Sequence, residues 1–516
     1  KKRLFRPCPP ISAISSLTCP PPLMPSPALK SNYWFILGRE PLLSAAELAA
    51  VFGWDSFSPV DGKPHPTSPW KGEGAGLSPL PRGNARGLPS SATKLAVLKL
   101  PLKNFNATEI IRRLGGTVKI GVEMGADLSE NELIEKIVAE LKSVSGKINF
   151  GLSFYGQSPV ILNESASWRR SEESLSGRQL RQRSFATAQD DRNDLTTINL
   201  IEKWGKQIKK ILKNENYSVR YVFKREPVLS SVTVDKNGLA ERGREFLITS
   251  ATSPSLPLER GGGQPFPLSK GEHKGVAVRY SLAKTLAVQP FEEFGARDFG
   301  RPGRDDLSGM LPPKLALMMI NLAKIPLSWV ILDPFCGSGT ILTEALLLEY
   351  KNLIGTDISD KAMENTKKNI EWTLQNHKSQ SRGLGTNHKL TLIESDIRNL
   401  SEKLKLNSVD AIITESYLGK PLRGRETEAE LRQQAEELKK LYLISFEQFK
   451  KVLKKDGAVI FLVPRFRFKN SWITINLKPA VEKLGFKVEI LLPGHEYLTY
   501  ARPNQLVGRE IWKFKI

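Results

Sequence analysis

Residues Ile331–Thr340 read ILDPFCGSGT. An apolar run ends in an acid, Asp333, and passes through Gly337, Ser338 and Gly339 into a segment with the apolar spacing of a helix. Glycines at a strand-to-helix turn let the main chain approach a ligand closely, and the first turn of the following helix offers unpaired N–H groups. Twenty-four residues after Asp333 the next apolar run ends in Gly355-Thr356-Asp357. A carboxylate there can accept from both hydroxyls of a ribose. A plain turn needs the glycines but not a second acid at that distance, so the pair predicts a nucleoside-binding crevice.

Outward from this stretch, the chain from Leu315 alternates strand and helix patterns. Strands are expected at Trp329–Leu332, Asn352–Gly355, Lys389–Glu394, Ala411–Thr414, Ala458–Val463, Lys487–Leu492 and Glu510–Phe514, and helices at Gly339–Tyr350, Asp360–Gln375, Thr427–Lys454 and Trp472–Leu484. Such alternation requires right-handed crossovers and hence a mostly parallel, doubly wound α/β sheet of seven strands. The last two strands, close in sequence, predict an antiparallel edge.

The N-terminal half reads as an α+β module. Strands are expected at Tyr33–Leu37, Lys94–Leu100, Lys147–Tyr155, Ser218–Phe223 and Ser230–Val234. Helices are expected at Ser44–Phe52, with Ser44 as N-cap and Glu47 three residues on, and at Thr108–Leu114, Glu130–Val144 and Ile198–Lys213. The module is expected to end near Leu247. Three stretches look foreign to it: Asp61–Ser91 and Ser253–Lys274, which are Gly/Pro/Ser-rich and share TSP and KGE words, and the polar Glu164–Asp194. None carries enough apolar residues to bury a core, so they read as surface insertions. Residues 1–30 read as a disordered extension with Met24 a candidate start, 31–250 as the α+β module, 251–310 as an insertion and basic linker, and 311–516 as the α/β domain.

Composition limits the function. Lys and Arg number 76 against 54 Asp and Glu, for a formal net charge of +22, which favours a polyanionic partner. The three cysteines, Cys8, Cys19 and Cys336, supply neither a disulfide framework nor zinc-ligand spacing, so no metal is expected. No run of 18 apolar residues occurs and the start lacks the apolar middle of a signal peptide, so no membrane partner and a cytoplasmic location are expected.

DPFCGSGT resembles the first motif of class I S-adenosylmethionine-dependent methyltransferases acting on RNA or DNA bases. The resemblance implies a Rossmann-like methyltransferase domain in which Asp333, Phe335, Cys336, Gly337 and Gly339 line the methionine part of S-adenosyl-L-methionine. It also implies that Asp357 holds the ribose and that Asp396, in IESDI, faces the adenine; an acid after a strand is equally a helix cap. Three further stretches resemble THUMP-type tRNA guanosine-N2 methyltransferases: RDFGRPGRDDLSGMLPPKLALMMINLA (Arg297–Ala323), YWFILGREPLLSAAELAAVF (Tyr33–Phe52) and YARPNQLVGREIWKF (Tyr500–Phe514). The module before the catalytic domain is accordingly expected to be THUMP-like and RNA-binding. Physically, Arg297, Arg301, Arg304 and Lys314 set four cations beside a Gly/Pro-rich turn, a pattern that suits phosphate clamping.

Methylation of an exocyclic amine needs hydrogen-bond acceptors that localise the nitrogen lone pair. Amine methylases of this kind usually supply them from an Asp/Asn-Pro-Pro-aromatic loop after the fourth strand. Here that place reads Thr414-Glu415-Ser416-Tyr417-Leu418-Gly419. Glu415 stands where Asp is expected, Ser416 replaces a proline, and the aromatic ring comes one residue early. The expected catalytic residues are Glu415 as acceptor, Ser416, and Tyr417 as stacking platform. The expected function is methyl transfer to an exocyclic amine of an RNA base, guanosine N2 of tRNA. A DNA amine (N4/N6) methylase, or a noncatalytic RNA-binding protein that keeps the cofactor fold, are the alternatives.

Overall fold

The computed structural model describes residues 31–53, 97–103, 105–157, 179–252, 278–304, 310–376, 388–502 and 505–516. The expected extension 1–30 and insertions 61–91 and 253–274 fall outside them. Of 164–194 only the backbone of residues 179–194 is described, and it belongs to a helix.

The first sheet is built from β1 (Ser31–Leu37), α1 (Pro41–Phe52), β2 (Val97–Leu102), α2 (Ala107–Arg112), β3 (Thr117–Leu128), α3 (Glu130–Lys142), β4 (Ile148–Gln157), α4 (Gln179–Asn214), β5 (Val219–Val222), α5 (Ser231–Lys236), β6 (Arg244–Thr252) and β7 (Val278–Val288). Its strand order is β2-β1-β3-β7-β6-β4-β5. β7 lies between β3 and β6 at the centre of this sheet, so the module does not end near Leu247, and part of the expected linker 251–310 is core strand. The expected strand Ser230–Val234 is the helix α5. Its β-branched residues resemble a strand, but the Ser230 side chain accepts from the Thr233 N–H and starts a helix. Helix α3 begins with a reciprocal capping box between Ser129 and Glu132.

The expected capping box on α1 is not formed. Pro41 starts the helix earlier, Ser44 lies inside it and donates to the Glu40 carbonyl, and Glu47 is fully buried. Glu47 accepts from the Gly115 and Gly116 N–H groups, each at 2.8 Å, and from Asn321 Nδ2 at 2.8 Å. Asn321 belongs to the C-terminal half, so Glu47 ties the two halves together. A Cβ on Gly115 would run into the Lys314 carbonyl oxygen, so the halves meet at backbone-to-backbone distance.

The second half comprises α6 (Phe291–Phe299), α7 (Pro313–Ala323), β8 (Val330–Asp333), α8 (Thr340–Leu347), β9 (Asn352–Asp357), α9 (Asp360–Asn376), β10 (Lys389–Glu394), α10 (Leu400–Lys403), β11 (Val409–Glu415), α11 (Glu428–Val452), β12 (Leu453–Phe468), β13 (Ser471–Ile473), α12 (Lys478–Lys483), β14 (Lys487–Val488), β15 (Leu498–Tyr500) and β16 (Val507–Lys515). The order is β10-β9-β8-β11-β12-β16-β14, with β13 on β12 and β15 on β16, nine strands rather than the expected seven. β8 to β12 pair in parallel, while β16 runs antiparallel between β12 and β14. The expected helix Trp472–Leu484 divides into β13 and α12. Pro479, a residue suited to a helix's first turn, sets where α12 starts. Among the described residues, no helix is long and apolar enough to cross a membrane.

Candidate active site

β8 is the strand at which the order turns back, and doubly wound sheets bind ligands at the carboxyl ends of strands beside that point. A cavity of about 630 Å³ opens there, lined by Asp333, Phe335, Cys336, Gly337, Asp357, Ile358, Asp396, Glu415 and Tyr417 among others.

Asp333 closes β8 and is 2% exposed. It accepts from Thr414 Oγ1 at 2.7 Å and from the Phe335 N–H at 3.3 Å. Burial, reinforced by the nearby charges of Asp357 and Glu415, pushes its carboxyl up to about 7 despite those hydrogen bonds. Asp357 closes β9 and accepts from the Gly337 N–H at 2.9 Å and the Ser359 N–H at 3.0 Å, one on each oxygen. A carboxylate has about four acceptor positions, so capacity for two ribose hydroxyls remains.

The glycine loop between these acids is held from behind. Thr366 Oγ1 donates to the Gly337 carbonyl at 2.8 Å, and Asn369 Nδ2 donates to the Ser338 and Gly303 carbonyls, each at 2.8 Å. Gly339 has φ +79°, and a Cβ there would lie 2.8 Å from Thr366. The residue is therefore required for the loop's packing on α9. At Gly337 a Cβ would meet nothing within 4 Å, so the loop has open space there. Cys336 is buried with its Sγ 3.8 Å from Met363 Sδ, and burial pushes its thiol well above the ordinary range. Such a thiol packs and does not react.

Asp396 follows β10 and caps a short 3₁₀ turn, accepting from the Arg398 N–H and guanidinium, both at 2.9 Å. The helix-cap role is thus present, alongside a place on the cavity wall. Ile358, absent from the sequence expectations, is 67% exposed in this wall. An apolar side chain left so open inside a cavity is a surface for a flat apolar ring.

The loop after β11 gives its three residues different surroundings. Glu415 Oε1 accepts from Arg509 Nε at 2.6 Å, and both side chains are largely buried. Ser416 is buried and its hydroxyl donates to the Leu462 carbonyl at 2.7 Å, so its proton is committed to the main chain. The Tyr417 ring is 52% exposed while its carbonyl accepts from Tyr442 Oη at 2.6 Å. Arg509 stands 94 residues from Glu415 in the chain. Local spacing gave no sign of the pair, although Arg509 lies within the closing stretch singled out above.

The expected phosphate clamp is not assembled as a set. Arg297 is buried in an ion pair with Glu344 at 2.7 Å, and Arg301 is buried and donates to Thr340 Oγ1 at 2.6 Å. Neither is open to a polyanion. Arg304 donates to the Phe299 carbonyl at 2.9 Å, and Lys314 borders a second cavity.

The RMKL-like methyltransferase domain family (UPF0020) matches residues 301–471. The tRNA (guanine(10)-N2)-dimethyltransferase of Methanothermobacter thermautotrophicus is 37% identical over 142 residues, covering 27% of this chain and 37% of that protein. A Methanothermococcus thermolithotrophicus protein, described as a probable tRNA (guanine(10)-N2)-dimethyltransferase, is 33% identical over 155 residues, covering 30% of this chain and 80% of that protein. The chain belongs to this tRNA guanine-N2 methyltransferase family. It spans little more than a third of the first relative's length. The crystal structure of TrmN from Thermus thermophilus aligns over 94% of this chain and 99% of its own at 15% identity, with a TM-score of 0.44.

The cofactor of this family's domain is S-adenosylmethionine. The residues present fit it: the cavity has two acids at adjacent strand ends, a loop with open space at Gly337, and an exposed apolar residue directly after the second acid.

Proposed function

We propose that the chain methylates an exocyclic amine of an RNA base, guanosine N2 of tRNA, and that its N-terminal α+β module is a THUMP-like RNA grip. The observation that carries this reading is one shared cavity, in which Asp333 and Asp357 face the loop Glu415–Tyr417. The bound cofactor supplies an electrophilic methyl group. Asp333 would hold the cofactor's ammonium, Asp357 its ribose hydroxyls and Asp396 and Ile358 its adenine. Glu415, one oxygen held by Arg509, offers its other oxygen to the amine's N–H. Accepting a hydrogen bond from that N–H would localise the nitrogen lone pair for attack on a methyl donor. Tyr417, half-exposed, stacks on the base that enters the cavity. The arrangement tolerates Glu in place of Asp because Arg509 reaches across β12 from β16 and fixes the longer side chain.

The test is single-turnover transfer of labelled methyl groups to unmodified tRNA, followed by nucleoside mass spectrometry. N2-methylguanosine supports the reading. Label on DNA adenine or cytosine, or tight cofactor binding with no transfer to any RNA, overturns it.

A further inference from the structure

A second cavity, of about 510 Å³, lies where the two halves of the molecule meet. Three segments far apart in sequence bring cations to it: Arg39 from the β1–α1 turn, Lys314 from the start of α7 and Arg502 from the connection after β15. None of the three side chains has an ion pair among the described residues, although the charge of Asp298 acts on Lys314 and that of Glu40 faces Arg39. Lys314 is half-buried over the Phe294 ring at 5.3 Å, and loss of hydration pushes its ammonium below the ordinary lysine range. Two carboxylates share the wall, Asp298 and Glu40. Glu40 is tied to the Ala501 N–H at 3.2 Å and shifted upward by burial.

Beside these cations stands Phe299, which ends α6 and is 65% exposed, with the Arg304 guanidinium 5.9 Å from its ring centroid. An open ring that lines one cavity with Arg39, Lys314 and Arg502 matches the two parts of a nucleotide, a flat base and a phosphate. The segment Met310–Lys314 separates this cavity from the first: Met310 and Leu311 line the reaction cavity, while Pro312, Pro313 and Lys314 line the junction. The floor cannot open freely, because Glu47 bonds both glycines of the 115–116 turn and Asn321 of α7.

We propose that this junction cavity seats one unpaired nucleotide of the RNA substrate, its phosphodiester against Lys314, Arg39 and Arg502 and its base on Phe299. The inference rests on the RNA reading of the reaction cavity. Its consequence is a fixed spacing between two bases of the substrate, set by the five residues Met310–Lys314, so that an RNA strand engaged at the junction is presented in register to Tyr417.

The test uses the full chain, with tRNA and a short single-stranded oligoribonucleotide as probes and fluorescence anisotropy as readout, so that binding is measured without methyl transfer. Phe299→Ala, at an exposed position, should weaken binding of both probes roughly tenfold, the scale of one lost base stack. Lys314→Gln and Arg502→Gln should each lower the salt dependence of binding by roughly 0.7 in log–log slope, one phosphate contact apiece. Calorimetric affinity for S-adenosylmethionine should be unchanged in all three. A second measurement guards against misfolded variants: 4-thiouridine-substituted RNA bound to the parent protein should photo-crosslink to peptides containing Phe299 or Lys314. Parental RNA affinity and salt slope in the variants, or crosslinks confined to other regions, overturn the proposal even if methyl transfer to tRNA is found. Junction-dependent binding without methyl transfer would sustain it while the catalytic reading fails.

Discussion

If Asp333 receives the cofactor's ammonium, cofactor binding is pH-dependent. Its carboxyl sits at about 7 in the free protein because burial and the charges of Asp357 and Glu415 disfavour ionisation. A cationic ammonium brought against it favours the ionised form, so binding and deprotonation are linked. The sign follows: affinity falls as the solution is acidified below about 7, because a proton must leave before the cofactor enters. At about pH 5.5 roughly 3% of molecules hold the ionised carboxylate, and at about pH 7 roughly half do, so Kd should tighten roughly fifteenfold, about 1.6 kcal/mol. This window also stays below the titration of an α-amino group near 7.7–8.0, so the ligand's own charge is constant. Isothermal titration calorimetry in two buffers of different ionisation enthalpy measures both quantities. At about pH 6, roughly 0.9 proton should be released per cofactor bound. Asp333→Asn keeps an acceptor for Thr414 but cannot titrate, and should bind weakly with no pH slope. A Kd that is flat from pH 5.5 to 7, or a slope that survives Asp333→Asn, would refute the placement of the ammonium on Asp333.

Glu415→Ala should slow single-turnover transfer by about two to three orders of magnitude with cofactor affinity nearly intact, and a parental rate would remove Glu415 from the chemistry. Arg509→Met should cost rate through misplacement of Glu415, and partial recovery in Arg509→Lys, measured as kcat separately from KM, distinguishes positioning from loss of fold. Gly339→Val should abolish calorimetric cofactor binding by driving the loop off Thr366, whereas unaltered binding would show that the loop can give way. Burial raises the Glu47 carboxyl to about 7, so the folded chain holds a proton that the unfolded chain releases above its ordinary 4.5. On this account stability is greatest below about 4.5 and declines towards about 7, by at most about 3 kcal/mol. Urea unfolding across that range should show a shallower pH dependence in Glu47→Gln than in the parent.

What the sequence disclosed and what it concealed divide along chain distance. The placement of Asp333, the glycine loop and Asp357 at one cavity was legible because strand end, turn and helix start are neighbours in sequence, and each residue type serves a local backbone need. The α/β alternation was legible for the same reason: a buried parallel strand announces itself by an unbroken apolar run. β7 was not, because a strand inserted at the centre of a sheet from the far side of a long connection carries no local mark of its partners. Glu47 shows the ambiguity most plainly. Ser44 and Glu47 have capping-box spacing, yet Pro41 moves the helix start one turn back and frees Glu47 to bridge the two halves.

The same logic explains the altered acceptor loop. Read alone, Glu415-Ser416-Tyr417 departs from the amine-methylase pattern at each position and invites the view that the loop has decayed. Its partners lie elsewhere: Arg509 on β16 takes one oxygen of Glu415, Leu462 on β12 takes the Ser416 hydroxyl, and Tyr442 on α11 holds the Tyr417 carbonyl. A proline pair stiffens a loop through its own rings, whereas here three hydrogen bonds from three separate elements do that work. Rigidity of the acceptor is what transition-state stabilisation requires, and it is indifferent to whether the constraint is covalent or tertiary.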